Sequence, residues 1–403
     1  MSRKLDLRTG RPVWSAYRAP AVPTSALTRD VKTDVLIIGM GISGAMMAEA
    51  LTADGHQVTC IDRRGPLKGS TAATTALVQF EIDQPLSTLS KMIGKTKARQ
   101  AWRRSRLAVS SLAGRIEELA IDCRLRRTPS LYLAGTLLAP PELRDEAESR
   151  RQAGIAATYL TPQPLAETFG IDRGGAILSH GNIALDPRRL TAGLLLKALE
   201  RKARLYAPVE AAAIEDGADE VVVATKDGPS ITARYVVLAT GYELVDIVPA
   251  AAHRIISTWA IATRPQPRKL WPGPAFIWEA SDPYLYLRAT ADGRVICGGE
   301  DEDFIDETRR DELITDKSAR IADKLSRLFG YLDVRPAFAW TGSFGTTTTG
   351  LPYIGAIPRH PRIHAVMGYG GNGITFSRIA SEIVSASIKG LADTDAGLFA
   401  FNR

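Results

Sequence analysis

The stretch from Asp34 to Asp62, DVLIIGMGISGAMMAEALTADGHQVTCID, constrains this chain more than any other, because it spells out a complete βαβ unit of the kind that holds a dinucleotide. An apolar run, Val35–Ile38, feeds directly into Gly39-Met40-Gly41-Ile42-Ser43-Gly44. A helical pattern follows to about Ala53, and a second strand, Val58–Ile61, ends on an acid. Gly39 permits the tight turn, Gly41 lets backbone approach a pyrophosphate, and Gly44 lets the helix sit close to the strand. Ile42 and Ser43 open the helix, whose free N–H groups and positive dipole end attract phosphate. Asp62, about twenty residues past the first glycine, is placed to accept hydrogen bonds from a ribose hydroxyl, with Arg63 beside it. The alternative is a glycine-rich turn without a ligand, but strand, helix, strand and acid stand in register here. The pattern points to an adenine dinucleotide and does not separate FAD from NAD.

Composition sets looser limits. The chain has 403 residues, 45% of them hydrophobic, enough for a large core and for two or more domains. Mean hydropathy is near zero, and no apolar run approaches the roughly 18 residues that span a bilayer. The basic N-terminus lacks the apolar core of a secretory signal, so a cytoplasmic location is expected. Cys60, Cys123 and Cys297 are widely spaced and form no CxxC pair, which predicts buried thiols rather than a disulfide framework. The five histidines show no HxxxH or HExxH spacing, and no metal site is expected.

A net charge of +7 invites a nucleic-acid reading. Much of the excess lies between Lys91 and Arg127, where Lys95, Lys97, Arg99, Arg103, Arg104 and Arg106 interleave with Trp102, Leu107, Leu112 and Ile116 at helical spacing. A solvated helix face accounts for it. No aromatic–basic RNA motif or zinc-finger spacing accompanies it, and no nucleic-acid partner is expected.

Farther along, Gly69-Ser70-Thr71-Ala72-Ala73-Thr74-Thr75-Ala76 offers small hydroxylated residues able to bond a ligand without crowding it, a plain turn being the alternative. Helices are predicted at Arg99–Leu119, Pro140–Ala153 and Asp186–Lys202, the last with Asp186 as N-cap and Pro187 in first position. A strand is read at Ser130–Ala134. Strands at Val209–Ile214 and Glu220–Thr225 lead through the Asp227-Gly228 hairpin signal to Tyr235–Ala239, which ends in Ala239-Thr240-Gly241. Between about Ser257 and Glu300 the pattern becomes alternating aromatic-rich strands, a second, sheet-based region. Glycine-rich runs at 342–355 and 368–373 precede a helix starting near Ile374.

Taken in order, the βαβ unit, the 69–76 run, Ala239-Thr240-Gly241, Thr-Gly-Leu-Pro-Tyr-Ile-Gly at 349–355 and Gly-Tyr-Gly-Gly-Asn-Gly-Ile-Thr-Phe-Ser at 368–377 resemble the D-amino-acid-oxidase-like FAD oxidoreductases, the group of glycine, sarcosine and γ-glutamylputrescine oxidases. The resemblance covers about residues 32–387. It implies an α/β chain of the glutathione-reductase type: a discontinuous Rossmann-like FAD-binding domain (32–85, 186–248 and 336–403), a mostly antiparallel substrate domain (86–185 and 249–335) and an N-terminal extension (1–31). It implies FAD in the fingerprint, with Val209 meeting the adenine through its backbone. Ser70, Thr71, Thr75 and Ala76 would lie along the pyrophosphate and flavin, with Ala239, Thr240 and Gly241 nearby. Gly371, Asn372, Gly373, Ile374 and Thr375 would stand at the flavin pyrimidine, where a helix N-terminus stabilises negative charge.

The family's chemistry implies dehydrogenation of a C–N bond by hydride transfer to flavin N5, giving an imine that hydrolyses; no acid–base pair is required. Three departures bear on the substrate. The Trp-x-Gly-Leu-Arg-Pro run that carries a carboxylate-binding arginine in glycine oxidases is Trp340-Thr341-Gly342-Ser343-Phe344-Gly345 here. Two further basic positions of sarcosine-oxidase-like members match Ala76 and Thr375. A carboxylate leaves water readily only for a charged, preferably bidentate partner, so a simple α-amino acid bound in the usual way is disfavoured. The covalent cysteine has no counterpart in 340–350, which predicts non-covalent FAD, and the oxygen-activating lysine is replaced near Ile296, which leaves oxygen or another acceptor open. Substrate-pocket candidates are Tyr132, Trp259, Trp278, Tyr284, Tyr286, Arg288 and Phe344, an aromatic set that suits an amine. Glu300 and Asp301 either attract an ammonium group or form salt bridges, the second reading being favoured. Two other functions stay open: flavin-dependent oxidation of a C–O or C–C bond, and a catalytically silent flavin subunit docked through the Arg99–Arg106 helix. The partner expected is a small-molecule substrate; oligomeric state is not legible.

Overall fold

The computed structural model describes residues 8–226, 228–249 and 253–403. Its organising element is the strand Val31–Ile38, whose last four residues are all buried, as expected of a parallel strand covered on both faces. It lies between two parallel neighbours, Val58–Ile61 and Ser230–Leu238, in registers that pair Val35 with Val58 and with Tyr235. Arg204–Tyr206 and His360–Met367 extend the parallel set, and Tyr353–Ile357 adds an antiparallel edge. Ala211–Asp216 and Val221–Thr225 form an antiparallel annex on Ser230–Leu238, completing eight strands. Of the expected hairpin turn, Asp227 lies outside the described residues, while Gly228 takes φ +139°.

The helices Ile42–Ala53 and Gly373–Ile388 lie on this sheet, and Pro187–Glu200 packs on the first of them. Pro187–Glu200 begins as the sequence predicts, the Asp186 carboxylate accepting from the Arg188 and Arg189 amides at 2.9 and 3.1 Å.

The second sheet has ten strands, in the order Arg8–Gly10, Pro336–Thr347, His253–Thr263, Val295–Glu302, Leu285–Ala289, Phe276–Glu279, Arg126–Leu133, Ala176–Ala184 and Leu77–Val78, with Ala157–Leu160 also on Ala176–Ala184. Every pairing is antiparallel except Phe276–Glu279 with Arg126–Leu133, so the sheet is mixed. Three placements bear on the expected domain bounds. Pro336–Thr347, expected with the dinucleotide-binding portion, pairs along His253–Thr263, which would otherwise expose a long open edge. Arg8–Gly10, within the expected N-terminal extension, pairs with Pro336–Thr347 through Arg8↔Gly342 and Gly10↔Trp340. Leu77–Val78 likewise belongs to the ten-stranded sheet.

The basic helix spans Lys95–Glu118 and buries Ala98, Ala101, Trp102, Ser105, Val109, Leu112 and Ile116. Leu107, expected on that apolar face, is 63% exposed, since it falls out of phase with Trp102 and Val109. Several of the arginines are spent within the chain. Arg103 and Arg106 donate to the carbonyls of Ala153 and Gly154, and Arg104 pairs with Asp393 and Glu382. The three cysteines are free and buried. Among the described residues no helix is long and apolar enough to cross a membrane, and no group of three metal-ligating side chains exists.

Candidate functional site

One long cleft, holding about 2010 Å³ of non-atom space with the solvent at its mouth included, runs from the glycine turn of the first sheet to the aromatic strands of the second. At one end Gly39, Gly41, Ile42, Ser43, Asp62, Arg63, Val209, Ala239, Thr240 and Gly241 line it, as the sequence anticipates. Gly39 takes φ +116°, and a Cβ there would lie 2.3 Å from the Ala239 carbonyl oxygen. At Gly41 a Cβ would meet only the Thr71 hydroxyl, at 3.1 Å. Gly44 does not line the cleft. A methyl group there would sit 1.9 Å from the Gly39 carbonyl oxygen, so its place is the close helix–strand contact.

The helix Ile42–Ala53 starts at the cleft with no side-chain cap, and so does Gly373–Ile388. Both therefore present N-terminal amides and a positive dipole end to the same space. The Ser43 and Ser377 hydroxyls tie the two starts together at 2.7 Å. One amide is used internally: Ile42 N–H donates to the Thr71 hydroxyl at 3.0 Å. Asp62 accepts from the Met40 amide on Oδ2 at 2.8 Å and from the Arg64 and Gly65 amides on Oδ1 at 2.7 and 2.9 Å. A carboxylate offers about four lone-pair sites, so room remains for a ribose hydroxyl. The Val209 amide donates to the Asp62 carbonyl at 2.9 Å, which leaves its own carbonyl for an adenine. Glu243, held by Arg63 and Arg64, closes this end.

Ser70, Thr71 and Thr75 line the middle of the cleft, and the Ser70 hydroxyl is buried without a partner. Ala76 does not line it: with φ +56°, it turns its carbonyl toward Arg288, whose Nη1 donates to it at 2.5 Å. The neighbouring carbonyls are held in the same way, Ala73 by the Trp340 indole at 2.7 Å and Thr74 by the Trp14 indole at 2.6 Å. Arg288, expected in the substrate pocket, is thus a buried tie. It also donates to the Leu185 carbonyl at 3.1 Å, and burial lowers its pKa to about 9.

Gly371, Asn372, Gly373 and Ile374 line the far end. The side chains of Asn372 and Thr375 face away from open space toward a segment that sequence reasoning passed over, Gln79–Asp83. Asn372 Nδ2 donates to the Gln79 and Glu81 carbonyls at 3.1 and 2.8 Å, and the Thr375 hydroxyl donates to Gln79 at 2.7 Å. Asn182 and Ser105 satisfy the Phe80 amide and carbonyl at 3.0 and 2.7 Å. The segment is thereby fixed with Phe80 and Ile82 in the core, while Gln79, Glu81 and Asp83 line the cleft. Thr375 itself is outside the lining. The signal was present in the polar–apolar alternation of QFEID, read as period two.

Trp278, Tyr284, Tyr286 and Phe344 form the remaining wall, joined by Thr258, Tyr242 and Tyr369; Trp259, expected among them, turns its ring into the core on the other side of the sheet, where its indole N–H donates to the Arg310 carbonyl at 3.1 Å and the Lys317 ammonium lies over it. Tyr132 stands behind it, stacked on Trp278 at 3.8 Å between ring centroids, rather than on the surface of the cleft. Burial pushes the Tyr284, Tyr286 and Tyr242 phenols well up, so all three stay neutral. Burial also raises Asp83 against the opposing Gly371 amide, which donates to it at 2.8 Å. Asp83 is solvent-accessible only in the sense that it faces the cleft. Asp301, beside Thr258 and Tyr284, is pushed up to about 7, first by burial and then by the Asp83 charge. Glu300, its neighbour, is a structural ion-pair residue as expected, held by Lys324 and by Lys317 at 3.6 Å.

A glycine turn, two uncapped helix starts and an aromatic chamber on one cleft restrict the chain's relatives. Residues 34–387 match the DAO family, FAD-dependent oxidoreductases. The chain belongs to that family. This DAO-family chain is 24% identical over 392 residues to the γ-glutamylputrescine oxidoreductase of Escherichia coli (strain K12), covering 94% of this chain and 89% of that protein. It is 27% identical over 274 residues to the putative Rieske 2Fe-2S iron-sulfur protein YhfW of Bacillus subtilis (strain 168), covering 67% of this chain and spanning about half, 52%, of that relative. Among solved structures, glycine oxidase from Geobacillus kaustophilus superposes with a TM-score of 0.74 at 20% identity, over 93% of this chain and 99% of that one. The family fold implies FAD, and the cleft residues fit it: free helix N-termini for the pyrophosphate, Asp62 for the ribose, and an orphaned hydroxyl at Ser70 between them.

Proposed function

We propose that this chain dehydrogenates a C–N bond of an amine or amino-acid derivative, with FAD held non-covalently in the cleft. The observation that carries the reading is the continuity of the cleft from Gly41 to the wall of Trp278, Tyr284, Tyr286 and Phe344. When bound, FAD supplies the two-electron acceptor. Gly41, Ile42, Ser43, Ser70, Thr71 and Thr75 hold its pyrophosphate side, Asp62 its ribose and the Val209 carbonyl its adenine. The start of the helix Gly373–Ile388 offers amides to the charge that develops on reduction, the Gly371 and Asn372 amides being taken by Asp83 and the Tyr369 carbonyl. The aromatic wall aligns the substrate and excludes water. Non-covalent binding is supported by the cysteines, which are buried and absent from the cleft lining. The amine class is supported by the name of the Escherichia coli relative and by Phe344 at the position where an arginine would anchor a carboxylate.

We also assign the eight-stranded sheet and its helices to the FAD-binding portion and the ten-stranded sheet to the substrate portion, which moves 336–347 and 77–78 to the latter. The test is anaerobic bleaching of the visible flavin absorbance by a panel of amines, N-methyl amino acids, amino acids and alcohols. Bleaching by amines, together with release of the yellow colour into the supernatant on acid precipitation, is the expected result. A colourless purified chain, or bleaching by alcohols alone, overturns it.

A further inference from the structure

The two ends of the cleft differ in charge. At the fingerprint end the bases Arg63, Arg64 and Lys68 are balanced by the acids Asp62, Glu210 and Glu243, whereas the charged residues lining the aromatic end, Glu81 and Asp83, are both acids. Neither acid is there for want of a better place. Side chains from three other elements, those of Asn182, Ser105, Asn372 and Thr375, lock the backbone that carries them, and they leave Phe80 and Ile82 in the core. Among the described residues Asp83 forms no ion pair; its carboxylate takes the Gly371 amide at 2.8 Å.

A second observation concerns a buried atom left without a partner. Glu81, 2% exposed, leaves Oε2 unpartnered while Oε1 takes the Ser130 hydroxyl, and Trp278, 7% exposed, lines the same space. Buried polar atoms are satisfied almost everywhere in folded proteins, so orphans on a cleft wall mark the place of a ligand. The surrounding rings are rigid: Trp278 is backed by Tyr132, and Tyr284 and Tyr286 lie 5.3 Å apart. Aromatic faces attract cations, and an anion brought beside two acids would be repelled.

We propose that the aromatic end of the cleft is a recognition site for an organic cation, in which Asp83 takes the ammonium group, Glu81 reinforces it, and Trp278, Tyr284 and Tyr286 receive its apolar substituents. The substrate is then a positively charged amine that carries no carboxylate beside the reacting carbon. This deepens the proposed function and rests on the same cleft.

The test is calorimetric titration of the flavin-loaded chain with three probes of one skeleton: choline, its neutral counterpart 3,3-dimethylbutan-1-ol, and the anion 3,3-dimethylbutanoate. Choline is expected to bind about tenfold or more tightly than the alcohol, and the anion more weakly than either. Asp83→Asn lowers choline affinity about tenfold and leaves the alcohol unchanged, and Asp83→Glu restores most of the loss. Equal binding of choline and the alcohol by the wild-type chain, or tighter binding of the anion, overturns the proposal without recourse to any variant. A flavin that amines reduce in a chain with no cation preference rejects this site and keeps the proposed function. A cation preference in a chain whose flavin no amine reduces keeps the site and rejects that function.

Discussion

At Gly44 one methyl group would approach the Gly39 carbonyl oxygen to 1.9 Å, while three residues earlier Gly41 would tolerate the same addition with a small movement of Thr71. The three fingerprint glycines therefore fail differently. Gly44→Ala drives the helix Ile42–Ala53 off its strand and is expected to cost about 3 kcal/mol, read as a lowered denaturation midpoint of the flavin-free chain. Gly41→Leu keeps that midpoint, because Gly41 already has ordinary extended dihedrals (φ −77°, ψ −170°), but fills the pyrophosphate site. A Gly41→Leu chain that stays fully yellow would contradict the assignment. Asp301 makes a pH prediction. Its carboxyl ionises near 3.8 when free and near 7 in the fold, chiefly through burial. Between those values the folded state holds the extra proton, so stability falls as pH rises through the window. Asp301→Asn removes that dependence, and its stability relative to the parent should improve steadily from pH 4 to pH 8 in urea melts.

Elements short in sequence do much of the positioning. The 73–76 loop is held carbonyl by carbonyl, by Trp340, Trp14 and Arg288, residues that lie 267, 60 and 212 positions away from their acceptors. Trp14 belongs to the segment before the family match begins at residue 34, yet its indole reaches a loop that lines the cleft. Trp14→Phe keeps the ring and removes the donor, and is expected to cost about 1–2 kcal/mol and to quicken proteolysis within 69–76. An unchanged cleavage rate would show that the Thr74 carbonyl needs no such tie. Local patterning revealed the helices with caps and the strands with steady alternation, because cap and alternation are properties of neighbouring residues. Arg288 was misread for the opposite reason. Its alternation gave a face, but the face proved to be the one packed against the Ala76 and Leu185 carbonyls rather than the cleft.

For the whole molecule, function depends on one cleft drawing its walls from both sheets. The dinucleotide end was legible from 29 consecutive letters, 34–62, since a turn, a helix start and a terminal acid are encoded within a single supersecondary unit. The aromatic residues at 278, 284, 286 and 344 were legible as candidates and line the space, with Tyr132 one layer behind, whereas Trp259, read with them, packs in the core on the other side of the sheet. Glu81 and Asp83 were not, because nothing near them in the chain distinguishes a polar residue that lines a cavity from one that meets bulk water. That difference arises only when Asn182 and, from a second distant stretch, Asn372 and Thr375 fix the backbone between them. By itself the sequence determined the dinucleotide-binding turn, the order of elements and the absence of an arginine at 344. The tertiary structure alone decided the charge of the cleft, balanced at the fingerprint and acidic at the aromatic wall, because charge in a cavity is set by which side chains converge in space.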